Sequence, residues 1–397
     1  MARKVCVVTG SRADYGLLRW VLHDLRADPA FELQLVVTGM HLSREHGHTV
    51  DEIERDGFKA DCRVEMLLAS DTPGATCRAV ALGVIGMSDA LTQLQPELVL
   101  VLGDRFEILA AAQACLFHGV ALAHIAGGDT TEGAFDESIR HAITKLAQLH
   151  FVTNELSAQR VRQMGEDPRH VHVVGSPGLD HLRRHPLLEP AALEAALGAS
   201  LGRRNLLVTF HPVTLAGDGG LAEFNELLAA LDALPADIVL WLSRPNADPG
   251  GRGISAALDA FAQRRGASAR VHASLGSLRY LSLMAQCNAV VGNSSSGLYE
   301  APSLHRPTVN IGTRQQGRLA AASVLHCEAQ RDAIAGAIAR ALLLDCSNVV
   351  NPYGDGHSTA RIVDVLRRLP PPATLLHKAF HRQDLQDRQD LQGAGGG

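Results

Sequence analysis

The sequence predicts an α/β protein made of two consecutive doubly wound units, each a parallel sheet covered by helices. Short apolar runs alternate with segments of helical periodicity through residue 175, and the same alternation restarts at Asn205. The run Leu98–Leu102 is apolar throughout, which is typical of a parallel strand buried on both faces. A length of 397 residues suits two domains of ordinary size.

Strands are expected where short aliphatic or β-branched runs end in glycine or polar turns. In the first unit these are Val5–Thr9, Leu33–Thr38, Leu98–Leu102, Val120–Ile125, His150–Thr153 and Val171–Val174. In the second unit they are Asn205–Phe210, Asp237–Leu242, Arg270–His272, Ala289–Val291 and Thr308–Ile311. Helical spacing of apolar residues predicts the helices Tyr15–Leu25, Val50–Gly57, Pro73–Leu94, Phe106–His118, Leu221–Leu234, Ile254–Arg264, Ser277–Gln286 and Ser358–Leu369, with a further one beginning near Asp136.

The turn-rich stretch Gly175–Gly178 has the composition of a connection between domains. We therefore predict a first domain over residues 1–178 and a second over 179–353. Residues 373–397 contain two RQDLQ copies and end in GAGGG, which predicts a disordered tail.

Composition narrows the classes of function. A net charge of −5 gives no basic field, which disfavours nucleic acid as the partner. No stretch approaches the roughly 18 apolar residues of a membrane span, and the N-terminus is unlike a signal peptide, so we expect a cytoplasmic protein without membrane contact. Seven cysteines without a CxxC pair predict reduced thiols and no metal site.

Charged residues follow two neighbouring buried strands of the first unit. Asp104 and Arg105 come after the strand Leu98–Leu102, and Asp129 follows the next one. Another helix then begins with Asp136 and Glu137 and carries Arg140 within its first turns. Because ligands of open α/β sheets bind at the carboxyl ends of the strands, this is the candidate site for chemistry.

The turn after the first strand, Gly10–Asp14, lacks the GxGxxG pattern of dinucleotide-binding folds. Arg12 within it is suited to a diphosphate, since a fixed cation lies beside free backbone N–H groups. The alternative is a surface arginine paired with Asp14.

Polar residues also follow the strands of the second unit. His211 follows one strand, and a Ser/Gly-rich turn with Ser294 and Ser295 follows another and opens a helix that contains Glu300. Such a turn suits a phosphate, and the carboxylate suits a ribose diol. The serines could instead be ordinary helix caps, and Glu300 an ordinary helix-face charge.

Five segments together resemble the UDP-N-acetylglucosamine 2-epimerases, specifically their hydrolysing branch: GSRADYG, GDRFE, HIAGGDTTEGAFDESIRHAITK, TFHPVT and GNSSSGLYEAPSLHRPTVNIGTRQQGR. The similarity extends from about Val5 to Arg361. It implies a GT-B-like fold of two Rossmann-type domains with a cleft between them, with UDP bound mainly by the second domain. It also implies that a C-terminal helix, 354–372, packs back on the first domain.

The implied reaction is anti elimination of UDP from UDP-N-acetylglucosamine, followed by addition of water to the 2-acetamidoglucal. The products are UDP and N-acetylmannosamine, a precursor of sialic acid-type sugars. The family needs no metal and no cofactor, since a base removes the C2 proton and cations stabilise the departing diphosphate. A homo-oligomer, dimer or tetramer, is also implied.

By the same resemblance, residues of this sequence take the family's roles. Asp104 and Glu137 match the acids at the sugar, with Arg140 beside Glu137, and His211 matches a candidate acid for the leaving oxygen. The positions that match nucleotide- or phosphate-binding residues are Arg12, Arg105, Asn246, Arg252, Ser294, Ser295, Glu300 and Arg314.

One position departs from the family. Many relatives have a glutamate where this chain has Ala126, so Asp129, Glu132 or Asp136 would have to supply the lost carboxylate. The identity of the base stays open, and a UDP-linked 2,4-diacetamido-2,4,6-trideoxyglucose of the legionaminic acid route is an alternative substrate. Two further alternatives are a GT-B glycosyltransferase and a non-catalytic nucleotide-sugar sensor.

Overall fold

The computed structural model describes residues 2–70, 72–130, 135–211, 220–244, 251–272 and 275–382. The chain divides into two compact units. Unit 1 consists of Met1–His181 together with Tyr353–Gly397, and unit 2 consists of Leu182–Pro352.

Unit 1 contains a seven-stranded parallel sheet, in the spatial order β3-β2-β1-β4-β5-β6-β7. Its strands are β1 (Arg3–Thr9), β2 (Phe31–Thr38), β3 (Cys62–Val64), β4 (Leu98–Leu102), β5 (Ala121–Ile125), β6 (Leu149–Val152) and β7 (Val171–Val173). The helices are α1 (Arg12–Ala27), α2 (Val50–Arg55), α3 (Pro73–Leu94), α4 (Phe106–His118), α5 (Phe135–Leu146) and α6 (Glu155–Gln163). The short helix α7 (Asp180–Arg184) contains the point of division.

Helices cover both faces of this sheet, which explains why its central strands are apolar on both sides. One core includes Leu18, Leu22 and Leu25 of α1, and the other contains side chains of α3, α4 and α5. Ile362 and Leu366, from a helix near the C-terminus, are buried in the α1 core. That helix therefore completes unit 1, although the whole of unit 2 separates it in sequence.

Unit 2 contains a six-stranded parallel sheet, in the order β10-β9-β8-β11-β12-β13. Its helices are α8 (Pro190–Leu197), α9 (Leu221–Asp232), α10 (Gly251–Arg265), α11 (Gly276–Gln286), α12 (Ser296–Tyr299) and α13 (Arg331–Ala341). Its strands are β8 (Arg204–Thr209), β9 (Ile238–Ser243), β10 (Ala269–His272), β11 (Ala289–Gly292), β12 (Thr308–Ile311) and β13 (Val324–Cys327). The C-terminal helix of unit 1 is α14 (Ser358–Arg368).

Both sheets reverse their strand order beside the first strand of the unit. The reversal lies between β1 and β4 in unit 1, and between β8 and β11 in unit 2. At such a switch point the loops after two neighbouring strands diverge to opposite faces and leave a crevice for a ligand. The residues that follow these four strands are therefore the first to consider in each unit.

Part of the C-terminal segment is ordered, so its predicted disorder from residue 373 is wrong up to residue 382. Pro372–Leu376 forms a 3-10 helix with Leu375 buried. Lys378 then donates hydrogen bonds to the Lys145 and Ala147 carbonyls and pairs with Glu166 at 2.7 Å. Its ammonium group has three hydrogens and contacts three acceptors on unit 1, which fixes the segment there.

Two further sequence expectations concern thiols and membrane spans. All seven cysteines are free thiols, and four of them are buried. Among the helices that the structure describes, none has the length and hydropathy that crossing a bilayer requires.

Candidate functional site

Arg140 is the centre of a polar cluster at the carboxyl edge of the unit 1 sheet. Its guanidinium is 6% exposed and pairs with the Asp104 carboxylate and, at 3.0 Å, with Glu137 Oε2. It also donates to the Asp129 carbonyl oxygen at 2.7 Å. One buried cation thus joins the loop after β4, the loop after β5 and helix α5.

Two more groups on α5 extend the cluster. His141 Nε2 donates to Glu137 Oε1 at 3.1 Å, so that carboxylate is bonded on both oxygens. Asp136 is partly buried, and burial together with the negative charge of Asp104 raises its pKa. The positive charges of Arg105 and Arg140 oppose this rise without cancelling it. A carboxylate with a raised pKa is the stronger base, so Asp136 is a better proton acceptor than an ordinary aspartate.

The loop that carries Asp104 is held by a buried histidine. Gly103 has a φ of +82°, a left-handed conformation that glycine adopts without strain. His124 Nε2 donates to the Gly103 carbonyl at 2.8 Å, and the Thr144 hydroxyl of α5 lies 3.1 Å from its Nδ1. Burial lowers the His124 pKa to about 3, so the neutral ring links the Asp104 loop to the helix of Arg140.

Asp129 contributes to this cluster through its main chain. Its Oδ1 accepts hydrogen bonds from the hydroxyls of Thr153 at 2.5 Å and Ser157 at 2.6 Å. These bonds tie the loop after β5 to the end of β6 and to α6, while the Asp129 carbonyl accepts from Arg140. Ala126, at the start of the same loop, is partly buried and has a φ of +63°, unusual for a residue with a side chain.

Arg105 lies at the switch point of the unit 1 sheet. It donates to both carboxylate oxygens of Glu107, at 2.9 and 3.2 Å, and Glu107 is fully buried. A Cβ on Gly39 would lie 2.8 Å from the Glu107 side chain, so the ends of β1 and β2 close over this ion pair. Burial raises the pKa of nearby Asp14 to about 6, against the opposing charge of Arg105.

Arg12 is an exposed residue at the start of α1. Its Nε pairs with Glu52 at 3.0 Å, and its side chain is 66% exposed. The alternative that pairs Arg12 with Asp14 is therefore wrong. Asp14 instead lies under the turn, where its backbone N–H donates to the Ser11 side chain.

Asn293 organises the switch point of the unit 2 sheet. Its Oδ1 accepts from the His211 N–H at 2.7 Å, and its Nδ2 donates to the His211 carbonyl at 2.9 Å. Its own carbonyl accepts from Arg314 at 3.1 Å and from Gln315 at 2.8 Å. This buried asparagine therefore connects two of the predicted diphosphate residues, the histidine after β8 and the arginine after β12.

The serine turn after β11 opens a helix of one turn, because α12 spans only Ser296–Tyr299. A helix of one turn has only a small dipole, so the dipole adds little to the predicted anion site. The turn offers hydroxyl groups instead, and the Ser294 and Ser296 oxygens lie 3.0 Å apart. Ser295 occupies the cap position, and its side chain makes no capping hydrogen bond.

Glu300 directly follows α12 and stays partly exposed. Burial of its carboxyl raises its pKa to about 7. The ionised form is therefore only half populated near neutral pH, and a diol that donated to it would favour ionisation.

Three of the predicted site residues have no described side chain. Asn246 and Glu132 lie outside the described residues, as does the side chain of Arg252, whose backbone belongs to α10. Within the described part of the chain, no group of three or more His, Cys, Asp or Glu side chains could hold a metal ion.

Sequence reasoning missed Asn293, Glu107 and His124 as site residues. Asn293 follows a buried strand directly, which was the available signal for it. Glu107 and His124 act through buried contacts with Arg105 and Gly103, and no spacing in the sequence indicates these partners.

Comparison with known proteins agrees with this arrangement. The profile of the UDP-N-acetylglucosamine 2-epimerase family matches residues 23–367. A relative from Campylobacter jejuni, GDP/UDP-N,N'-diacetylbacillosamine 2-epimerase (hydrolyzing), is 39% identical over 82% of this chain and 84% of its own length. The UDP-N,N'-diacetylbacillosamine 2-epimerase (hydrolyzing) of Legionella pneumophila is 33% identical over 95% of this chain and 99% of its own length.

Among solved structures, the UDP-GlcNAc 2-epimerase of Neisseria meningitidis bound to UDP-GlcNAc has a TM-score of 0.79 at 20% identity, covering 92% of this chain and all of its own. The fold is therefore GT-B-like, with two Rossmann-type units. The chain belongs to the UDP-N-acetylglucosamine 2-epimerase family, in its hydrolysing branch. The predicted family and fold class are confirmed.

Proposed function

We propose that this protein hydrolyses a UDP-activated 2-acetamido sugar and inverts its C2 centre. A base takes the C2 proton while the C1–O bond breaks, and that electron pair leaves with UDP. Water then adds to the resulting glycal, with its oxygen on C1 and a proton on the opposite face of C2. The observation that carries this proposal is the group of three carboxylates around Arg140, of which two are ion-paired with it and the third, Asp136, has a raised pKa.

The electrostatics favour Asp136 as the base that removes the C2 proton. Arg140 forms ion pairs with Asp104 and Glu137, so those two carboxylates are already engaged by a cation. The raised pKa of Asp136 gives it more driving force near neutral pH. Glu137 is then suited to take a proton from the adding water and deliver it to C2, and Asp129 holds the loop rather than taking part.

For unit 2 we propose the diphosphate and ribose contacts. Arg314 and His211, both fixed by Asn293, supply a cation and a polar ring for the leaving phosphate. Ser294 and Ser295 donate to phosphate oxygens, and Glu300 accepts from the ribose hydroxyls. In unit 1, Arg12 and Arg105 are the remaining cations proposed to contact the nucleotide.

We propose UDP-linked 2,4-diacetamido-2,4,6-trideoxyglucose as the sugar substrate. Two relatives, at 39% and 33% identity, have names that specify a diacetylated sugar. The small side chain of Ala126 supports the same choice, because a methyl group at this strand end leaves more room than the glutamate of other family members for a C4 acetamido group. The second candidate is UDP-N-acetylglucosamine, which the similarly folded Neisseria protein binds in its structure.

The test is proton and phosphorus NMR of the protein with each donor in D₂O. We expect UDP release and a free 2-epimer carrying deuterium at C2, with kcat/KM at least about tenfold higher for the diacetamido donor. A preference for UDP-N-acetylglucosamine would overturn the substrate proposal and leave the reaction intact. Silence with both donors, or transfer to an acceptor without hydrolysis, would overturn the reaction itself.

The role of Asp136 has its own test. Asp136→Asn should lower kcat by about 10³-fold or more and leave UDP affinity unchanged, because removing a positioned base costs about that much. Asp89→Asn, on the exposed face of α3, is the matched control and should keep wild-type turnover. A D136N protein with near-normal kcat would transfer the role to Asp104 or Glu137.

We also propose a homodimer formed through α3 and α4. Leu82 and Ile85 of α3 and Leu116 and Phe117 of α4 are 42%, 61%, 52% and 80% exposed. Helices α3 and α4 pack on each other, and exposed large apolar side chains on such a pair are the kind of surface that a second copy covers in a two-fold interface. Light scattering should give twice the chain mass, and Phe117→Lys should give the monomer; a wild-type monomer would refute the proposal.

A further inference from the structure

A chain of hydroxyl groups runs behind the serine turn of unit 2. Ser243 Oγ donates to Thr209 Oγ1 at 2.9 Å, with the Val208 carbonyl as a second acceptor at 3.5 Å. Thr209 Oγ1 lies 3.2 Å from the Tyr280 hydroxyl, which lies 2.7 Å from Ser296 Oγ. Ser296 Oγ in turn lies 3.0 Å from Ser294 Oγ.

The members come from five separate segments: Thr209 ends β8, Ser243 ends β9, Tyr280 is on α11, Ser294 follows β11 and Ser296 begins α12. Both strand ends belong to the carboxyl edge of the unit 2 sheet, next to its switch point. Four links join the five hydroxyls, and each hydroxyl has one hydrogen to donate.

A bound phosphate gives the chain a direction, because its oxygens accept and the Ser294 hydroxyl has to donate to them. Ser294 then accepts from Ser296, and the other links follow in the same sense, with Tyr280 donating to Ser296 and Thr209 to Tyr280. Ser243 donates to Thr209 at the far end, so four hydrogens fill the four links and the Ser294 hydrogen goes to the phosphate. The Ser294 oxygen also lies 3.4 Å from the Ser296 backbone N–H.

We propose that Tyr280 is a positioning residue, which through Ser296 holds Ser294 as an obligatory hydrogen-bond donor to the diphosphate. The inference rests on the proposed function, because it assumes that UDP binds at the serine turn. Hydrogen bonds in a chain polarise one another, so each upstream link strengthens Ser294 as a donor to an anionic oxygen. A freely rotating serine would accept as readily as it donates.

The directed chain also suits a diphosphate for electrostatic reasons. A cation at Tyr280 would hold the leaving group more tightly but would also bind any anion, whereas a fixed neutral donor discriminates through geometry. Burial raises the pKa of the Tyr280 phenol, with the Glu300 charge contributing, so the phenol keeps its hydrogen at neutral pH. Tyr280 therefore stays a hydrogen-bond donor in the chain near neutral pH.

The test is a double-mutant cycle on UDP affinity, measured by titration calorimetry. Ser294→Ala should weaken UDP binding about 10-fold or more, as expected for a lost hydrogen bond to a charged group. Tyr280→Phe should weaken it about threefold or more in the wild-type background, and by less than about twofold in the S294A background. Tyr15→Phe removes a phenol hydrogen bond in unit 1 and should leave UDP affinity unchanged.

Phosphorus NMR distinguishes a loss of Ser294 positioning from a general loss of structure in unit 2. The resonance of the terminal phosphate of bound UDP should shift in both Y280F and S294A and stay unshifted in Y15F. Should Y280F fail to fold, Ser296→Ala breaks the same chain one link later and should give the same loss, again only when Ser294 is present.

Equal losses from Y280F in both backgrounds would overturn the inference, since Tyr280 would then act independently of Ser294. No loss in Y280F and in S296A, beside a clear loss in S294A, would overturn it as well. Wild-type protein that does not bind UDP, or S294A that binds it like the wild type, would show that the proposed diphosphate site itself is wrong.

Discussion

Replacing Asn293 by aspartate exchanges one amide for a carboxyl group of the same shape at a fully buried position. The carboxylate still accepts from the His211 N–H, but it has no hydrogen for the His211 carbonyl, 2.9 Å from the present Nδ2. Losing that hydrogen bond and leaving a buried carbonyl unsatisfied costs about 2–4 kcal/mol. A protonated carboxyl group can donate and restores both bonds.

The stability deficit of N293D should therefore depend on pH. The folded state prefers the protonated aspartic acid by about 2–4 kcal/mol, which raises its pKa from about 3.9 by roughly 1.5–3 units. Because the folded protein then binds the proton more tightly than the unfolded chain, the deficit is small below about pH 4 and grows as the pH rises through the folded-state pKa. For a unit of this size, the full deficit lowers Tm by about 4–16 °C.

Thermal unfolding of wild type and N293D between pH 4.5 and 8.5 is the measurement. Asn288→Asp is the matched control, because Asn288 is exposed and its Oδ1 only accepts, from the Asn205 N–H at 2.8 Å. A carboxylate accepts equally well, so N288D should show no deficit that grows with pH. A stability deficit of N293D that stays constant across this range, or no deficit at pH 8.5, would show that Asn293 does not stabilise the fold by bonding both the N–H and the carbonyl of His211.

Three further outcomes follow from the structure. UDP affinity should fall as the pH drops through about 7, because the proposed ribose contact needs ionised Glu300. Titration calorimetry of Glu300→Gln should show a weaker pH dependence, which then comes from the terminal phosphate of UDP, whose second pKa is about 6. Hydrogen bonds from His150, Lys145 and Lys378 hold the Glu166 pKa at about 2, against the effect of burial. The stability that the Glu166 carboxylate contributes is therefore present above about pH 4.5 and lost as the pH falls toward 2. Lys378→Met removes one of these donors and should lower the unfolding free energy, measured with urea at pH 7, by about 1–3 kcal/mol. Ala126→Gly should raise the unfolding free energy by roughly 0.5–1 kcal/mol, since glycine adopts a φ of +63° without strain, and thermal unfolding measures it.

The central strands could be predicted from sequence because burial on both faces leaves a continuous apolar run. Leu98–Leu102 and Thr308–Ile311 have the predicted bounds. The two strands that sequence reasoning missed, β3 and β13, are at the sheet edges and have three and four residues. An edge strand pairs on one side only, so a segment such as Cys62–Val64 can join the sheet without an apolar pattern.

The candidate site could be predicted only to the level of which loops carry it. Position at a strand end or helix start indicated Asp104, Glu137 and Arg140, which the structure brings together. The direction of a side chain depends on tertiary neighbours that lie far away in sequence. For that reason Arg12 pairs with Glu52 instead of Asp14, and the Asp129 carboxylate bonds to hydroxyls of the next strand and helix.

Under the proposed function, the distribution of charge between the two sites matches the two requirements of the reaction. A carboxylate base is required at C2, yet carboxylates beside a departing diphosphate would oppose its release. In unit 1, Arg140 is ion-paired with Asp104 and Glu137, and the raised pKa of Asp136 suits it to the proposed removal of the C2 proton. In unit 2 the proposed diphosphate donors are the serine hydroxyls, Arg314 and His211, whose backbone is held by the Asn293 amide, and none of them is a carboxylate that would repel the departing anion. We therefore expect losses in unit 1 to appear mainly in kcat, and losses at the serine turn mainly in UDP affinity.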